Sequence, residues 1–260
     1  MIDPATMTVF ITGASAGFGE ATARQFLERG AKVLASARRI DRVVAIRDRL
    51  PDLFRENLLA IELDVRDEAA VKASLQNLPD AFAEIDVLVN NAGLARGMGA
   101  AHETNMEDWE VMIDTNIKGL IYCTHALLPG MVGRDHGHII NLGSVAGTYP
   151  YPGSNVYGAT KAFVHQFSLN LRADLLGSKV RVTSVEPAMS DTEFSAVRFK
   201  GDYEKADAVY NGMKPASAAD IAEVIRYVAT TPEHININRV EVMPVQQSFA
   251  GFQVSRDDIF

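Results

Sequence analysis

The chain has 260 residues, of which 47% are hydrophobic and 22% charged. That is the balance of a soluble globular protein, and the length suits one large α/β domain spanning 1–260 better than two small ones. The formal net charge of −8 argues against a general nucleic-acid binder or an anionic membrane surface as partner.

A single cysteine, Cys123, excludes an intrachain disulfide and fits a reducing, cytoplasmic compartment. Residues 1–6 (MIDPAT) have neither the basic start nor the apolar core of a signal peptide. They read as an extension that the fold does not need. No apolar run approaches the roughly 18 residues of a membrane-spanning helix.

Residues 7–12 (MTVFIT) read as a short buried strand running into a glycine turn, GASAGFG. Residues 17–29 carry helix formers with an apolar face at Ala21, Phe26 and Leu27, closed by Gly30. Residues 32–37 (KVLASA) form a second strand, so the first thirty-odd residues make a right-handed βαβ unit. The alternation continues with a helix at 41–50, a strand at 58–63, a helix at 68–78 and a strand at 86–90.

A long helical region follows at 105–132, with Asn105 as its N-cap ahead of Glu107 and Asp108. Next come a strand at 138–142, a helix at 155–176 and a strand at 179–185. Residues 187–216 loosen into a mobile pair of short helices over the site. A helix at 218–229 capped by Ser217 and a last strand at 239–243 complete the pattern. Residues 244–260 form an aromatic tail suited to packing on a neighbouring subunit. Short apolar strands between helices give a doubly wound Rossmann-type domain with a mostly parallel, seven-stranded sheet.

Three glycines after strand one, Gly13, Gly17 and Gly19, open the first helix and form a phosphate cradle. Their spacing is Gly-x-x-x-Gly-x-Gly, not the more common Gly-x-Gly-x-x-Gly. Strand two ends in Ser36-Ala37-Arg38-Arg39, where an acidic residue would select a free ribose hydroxyl. Two guanidiniums there suit a 2′-phosphate, so the expected cofactor is NADP(H).

Tyr157 and Lys161 are four apart and share a helix face. A free phenol titrates near pKa ~10, and an ammonium one turn away favours its ionised form. That is one route to a general acid/base. Such a pair is most often a packed aromatic beside a solvated amine, so alone it decides nothing.

Together these residues resemble the short-chain dehydrogenase/reductase family over essentially the whole chain. Thr12-Gly-Ala-Ser-Ala-Gly-Phe-Gly19 is similar to the family's cofactor turn and brings in Ser15 and Phe18. Asp64-Val65 is similar to its adenine-contacting position. Asn90-Asn91-Ala92-Gly93 is similar to the motif that lines the cofactor cleft.

Asn116, Ser144, Tyr157 and Lys161 fall where the family has its catalytic tetrad. The resemblance implies that Tyr157 exchanges a proton with the carbonyl oxygen while hydride moves to or from the nicotinamide. Ser144 would orient that oxygen. Lys161 would lower the phenol pKa and bond the nicotinamide ribose, and Asn116 would anchor a relay water. A plain structural asparagine is the alternative at Asn116. Pro187-Ala188 departs from the family's usual Pro-Gly. Alanine disfavours positive φ, so a shifted backbone is expected there, and the carboxamide contact of Thr192 is placed in doubt.

Within the family, residues 151–163, 192–199 and 243–251 resemble the NADP-dependent 3-hydroxy acid dehydrogenases, which act on serine, allo-threonine and small acids such as 3-hydroxypropionate. They also resemble sulfoacetaldehyde reductases, which form isethionate. Both imply a small anionic substrate. Arg198 is the expected counter-charge, with Tyr151 and Gln247 as further donors; a surface arginine in an ion pair is the alternative. A non-catalytic NADP(H)-binding protein is the other class of reading. The family also implies a homotetramer. The histidines show no metal-ligand spacing, so no metal is expected.

Overall fold

The computed structural model describes residues 1–249; the part of the expected C-terminal tail from residue 250 onward lies outside the described residues. In chain order the elements begin β1 (Thr8–Thr12), α1 (Gly17–Leu27), β2 (Lys32–Ala37), α2 (Ile40–Arg49), α3 (Asp52–Arg55) and β3 (Leu58–Glu62). Then come α4 (Glu68–Gln76), β4 (Val87–Asn90), α5 (Met106–Ile113), α6 (Leu120–Gly133), β5 (His138–Leu142) and α7 (Asn155–Asp174). The remainder is β6 (Arg181–Pro187), β7 (Ser190–Asp191), α8 (Glu193–Arg198), α9 (Tyr203–Ala208), β8 (Ala216–Ser217), α10 (Ala218–Ala229) and β9 (Arg239–Val242).

Seven strands form one sheet in the order β3-β2-β1-β4-β5-β6-β9, and every neighbouring pair is parallel. Parallel strands need helical crossovers, which cover both faces and make the strand sequences continuously apolar. Side chains alternate across β1. Val9 and Ile11 join the α1, α2 and α10 side with Phe26, Val43 and Ile225. Phe10 joins the α4, α6 and α7 side with Val71, Cys123 and Leu171. The order reverses at β1 and β4, and the crevice beyond their carboxyl ends is where such sheets bind ligands.

Element boundaries differ from the sequence reading where side chains intervene. β6 starts at Arg181 rather than at 179. Before it, the Lys179 N–H donates to Asp135 Oδ1 at 2.8 Å and the Val180 N–H to Ser178 Oγ at 3.1 Å. The expected single helix over 105–132 is broken by a π turn at Asp114–Gly119. Asn105 does cap its start, accepting from the Glu107 N–H at 3.0 Å. Ser217 caps α10 in a reciprocal capping box with Asp220.

Residues 1–6 are docked on the domain rather than idle. The Ile2 N–H donates to the Thr230 carbonyl at 2.7 Å. No helix among the described residues is long and apolar enough to cross a membrane.

Phe10 is completely buried at the centre of the sheet. Phe10→Ala is expected to lower stability by about 3–5 kcal/mol through the lost transfer energy and the cavity left behind. A fall in the midpoint of denaturant unfolding at unchanged slope checks it.

Candidate active site

At the carboxyl end of the sheet the turn after β1 is fastened to the end of β4. The Asn91 side-chain amide donates to the Thr12 carbonyl at 2.8 Å and the Gly13 carbonyl at 3.1 Å. In return Thr12 Oγ1 accepts the N–H groups of Asn91 and Ala92, at 3.1 and 3.0 Å. This staple leaves no room for side chains in the turn. A Cβ on Gly13 (φ +68°) would come within 2.9 Å of Ala92 Cα, and one on Gly19 within 2.5 Å of Asn91 Nδ2. The glycines therefore serve a close backbone approach that opens the N-terminus of α1 to a ligand.

A cleft of about 340 Å³ follows from this turn. It is lined by Gly13, Ser15, Gly17 and Phe18, by Arg38 and Arg39, and by Asp64 and Val65. Asn91, Ala92 and Gly93 also line it, and Asn91 and Gly93 line the second cavity as well. Gly19, Asn116 and Thr192 are not among the residues that line the cleft. Thr192 stands against Gly17 and caps α8, its Oγ1 accepting from the Phe194 N–H at 3.2 Å. Asp64 is gripped by Arg66 through Nε at 3.0 Å and Nη2 at 2.6 Å, and that guanidinium holds its carboxyl below the usual range.

Two participants escaped the sequence reading. Glu193 accepts from Arg39 at 3.0 Å and from Arg42 at 2.5 Å. No local pattern connects residues so far apart in sequence. Arg38, Arg39 and Arg42 against one Glu193 leave a net cationic end to the cleft. The glycine cradle and this cationic end fit a dinucleotide carrying an additional phosphate.

The second cavity, of about 420 Å³, gathers Ser144, Tyr151, Tyr157, Lys161, Pro187, Arg198 and Gln247 around largely apolar walls. Tyr157 and Lys161 lie on α7 and both are buried. Lys161 Nζ donates to the Leu142 carbonyl at 2.7 Å and sits 5.9 Å from the centre of the Tyr157 ring. Ser144 Oγ donates to the Pro187 carbonyl at 3.3 Å and accepts the Ala146 N–H at 3.1 Å.

Burial pushes the Tyr157 phenol up to about 12, with Tyr151 adding to the rise and Arg198 and Ser144 opposing it. Burial also brings the Lys161 ammonium down to about 8, against the pull of Glu186. The expected lowering of the phenol by Lys161 is therefore corrected. In this structure desolvation outweighs nearby charge, and the cation acting on Tyr157 is Arg198. The phenol is held protonated, the form that donates to a carbonyl oxygen.

Asn116 lies in the π turn and is fully engaged with protein. It accepts the Leu94 N–H at 2.9 Å and donates to the Leu94 carbonyl at 2.9 Å and to Thr160 Oγ1 at 3.0 Å. It thereby ties the β4 loop to α7. The widened turn is what carries its amide across to both, a placement helical periodicity does not encode.

Arg198 ends α8 in a nest of rings. Its guanidinium carbon is 5.0 Å from the centre of the Tyr157 ring, 5.4 Å from Phe194 and 5.7 Å from Tyr151. Nη2 donates to Tyr151 Oη at 2.7 Å, while buried Nε has no partner among the described residues. The alternative of an arginine in a surface ion pair does not describe this geometry. Gln247 Oε1 accepts the Met189 N–H at 2.9 Å, which fastens the segment after β9 to the cavity wall.

Comparison with known proteins agrees with this geometry. The family model for short chain dehydrogenase matches residues 7–202. The chain belongs to the short-chain dehydrogenase family. It is 58% identical over 251 residues to the NADP-dependent 3-hydroxy acid dehydrogenase of Salmonella typhi, covering 96% of this chain and 100% of that one. It is 52% identical over 250 residues to a serine 3-dehydrogenase of Rhizobium radiobacter, covering 96% and 98%. Among solved structures, the closed form of a serine dehydrogenase complexed with NADP+ matches with a TM-score of 0.93 and 55% identity, covering 96% of this chain and 100% of that chain. The expectation of a sulfoacetaldehyde reductase finds no specific support among these relatives.

The departure at Ala188 introduces no backbone strain. Asp135 and Lys200 are the non-glycine residues with positive φ among the described residues, so Ala188 is unstrained. Its N–H donates to the Val242 carbonyl at 2.8 Å, continuing the ladder between β6 and β9. No cluster of three or more metal-ligating side chains occurs among the described residues.

Arg38 lines the cleft with no ion-pair partner among the described residues. Arg38→Ala is expected to weaken NADPH binding about tenfold, roughly 1.4 kcal/mol, and to leave NADH binding unchanged. Fluorescence titration with both dinucleotides checks it.

Proposed function

We propose that the chain is an NADP-dependent oxidoreductase, a single catalytic domain that interconverts a small 3-hydroxy acid, such as serine, allo-threonine or 3-hydroxypropionate, with its carbonyl form. The family and the NADP dependence of its relatives establish the class of chemistry. The observation that carries the substrate reading is Arg198. A buried guanidinium nitrogen without a partner costs about 1–3 kcal/mol, and a carboxylate entering the cavity satisfies it. Tyr151 already orients that guanidinium from the other side.

In this reading Gly13, Gly17 and Gly19 hold the pyrophosphate, Arg38 and Arg39 the 2′-phosphate, and Asp64 and Val65 the adenine wall. Pro187 and Thr192 flank the nicotinamide end. NADP(H) supplies or takes up the hydride when bound. Tyr157 keeps a proton on its Oη and gives it to the carbonyl oxygen during reduction, taking it back in oxidation. Ser144 Oγ donates to the same oxygen, a fixed dipole where negative charge develops. Lys161 bonds the nicotinamide ribose, and the Arg198 guanidinium over the Tyr157 ring favours the phenolate left after transfer. Asn116 positions the Gly93 end of the cleft beside Lys161, with Gly93 between its Oδ1 and the ammonium.

The reading extends to assembly. Exposed apolar side chains on α5, α6 and α7, among them Met106, Ile113, Val132 and Leu169, fit a helix-to-helix interface in a cytoplasmic homotetramer.

The test compares NADP+-linked oxidation of serine, allo-threonine, 3-hydroxypropionate and isethionate in the parent and Arg198→Ala. The carboxylate substrates are expected to turn over, with KM rising at least tenfold in the variant and kcat changing less. An unchanged kcat/KM for every substrate in Arg198→Ala would remove Arg198 from the anion site.

A further inference from the structure

Tyr157, Lys161 and His165 follow at four-residue steps on α7 and share one face. The first two open on the cavity; His165 instead faces Glu186 on β6. Glu186 is only 1% exposed, yet its carboxylate is completely bonded. One oxygen is 2.7 Å from His165 Nδ1 and accepts from Ser184 Oγ at 2.9 Å, and the other accepts from Arg239 Nε at 2.7 Å. Nothing in the proposed reaction uses this cluster.

Its position connects it to Lys161. Glu186 Cγ packs over Gly143, where a Cβ would lie only 2.8 Å from it. Lys161 Nζ donates to the carbonyl of the preceding residue, Leu142. The ammonium and the carboxylate thus bear on adjacent residues of one backbone segment at the end of β5.

We propose that Glu186 is a positioning residue that holds the Lys161 ammonium from behind the β5 backbone, and that Arg239 sets how much of its negative charge Lys161 feels. The inference rests on the role given above to Lys161. The titratable and charged groups around the ammonium are Tyr157 and His165 on its own helix, Glu186 on β6, Arg239 and its second partner Glu241 on β9 beyond Glu186, and Arg198 on α8 over the Tyr157 ring. Burial brings Lys161 down to about 8, and the negative charge of Glu186 opposes that fall. The ammonium is therefore lost as pH rises through about 8. Tyr157, at about 12, is still protonated there, so a falling limb near that pH belongs to Lys161.

Glu186→Gln keeps the side chain's shape and removes its charge. Arg239→Gln leaves Glu186 less neutralised, and Arg239 is partly exposed, so this variant is the more tolerant of the two. The test is the pH dependence of kcat for NADPH-dependent reduction. Glu186→Gln is expected to move the falling limb to lower pH by about one unit, and Arg239→Gln to move it to higher pH. Loosened packing alone does not produce shifts of opposite sign. Limbs that coincide with the parent, or move the same way in both variants, overturn the inference. If Glu186→Gln does not fold, the direction of the shift in Arg239→Gln decides it. Undiminished turnover in Lys161→Met would instead refute the role of Lys161 itself, which separates the two failures.

Discussion

Desolvation of one helix face governs this site. α7 carries a phenol and an ammonium one turn apart into a cavity with mostly apolar walls, and burial moves both away from their ordinary titration ranges. The phenol is held as an acid and the ammonium becomes easier to discharge. Among the described residues neither group is hydrogen-bonded to or ion-paired with a carboxylate. Their protonation is set by enclosure and by charges placed nearby, with Arg198 in front of Tyr157 and Glu186 behind the backbone that Lys161 touches.

The rest of the fold maintains that enclosure. Parallel strands bring the ends of β1, β4, β5 and β6 to one edge, and the staple between Asn91 and Thr12 holds the cofactor turn against the β4 loop. α8 spans the cleft from one side to the other. Glu193 at its start pairs with Arg39 and Arg42, and Arg198 at its end is bonded to Tyr151. The Arg198 carbonyl also accepts the Gly97 N–H at 2.9 Å, so the helix is tied to the β4 loop as well. Both cavities are thereby walled by one short helix, with Phe194 lining the two of them.

Much of this was legible in the sequence because parallel sheets write their strands as uninterrupted apolar runs. β2, β5 and α10 fall where composition and capping place them, and the glycine turn and the arginines after β2 announce a phosphorylated dinucleotide. What was not legible depends on contacts between distant residues. The π turn at 114–119 comes with the bonding of Asn116 to Leu94 and Thr160, which no helical period reveals. The Arg42–Glu193 pair joins residues far apart in the chain. The spacing of Tyr157 and Lys161 predicted a charge effect on the phenol, but the balance between charge and burial is a property of the closed cavity. At Ala188 the sequence raises the question of strain, and the structure answers that point alone: its φ is not positive and its N–H extends the ladder between β6 and β9.

In the proposed reaction Tyr157 supplies the proton that accompanies hydride transfer. Tyr157→Phe keeps the ring against Phe194 and Arg198 and removes only the hydroxyl. A paired measurement of NADPH binding by fluorescence and of single-turnover NADPH oxidation with a carbonyl substrate tests it most directly. Near-parental NADPH affinity is expected, with hydride transfer slowed by at least about a hundredfold. Substantial single-turnover oxidation in the variant would contradict it.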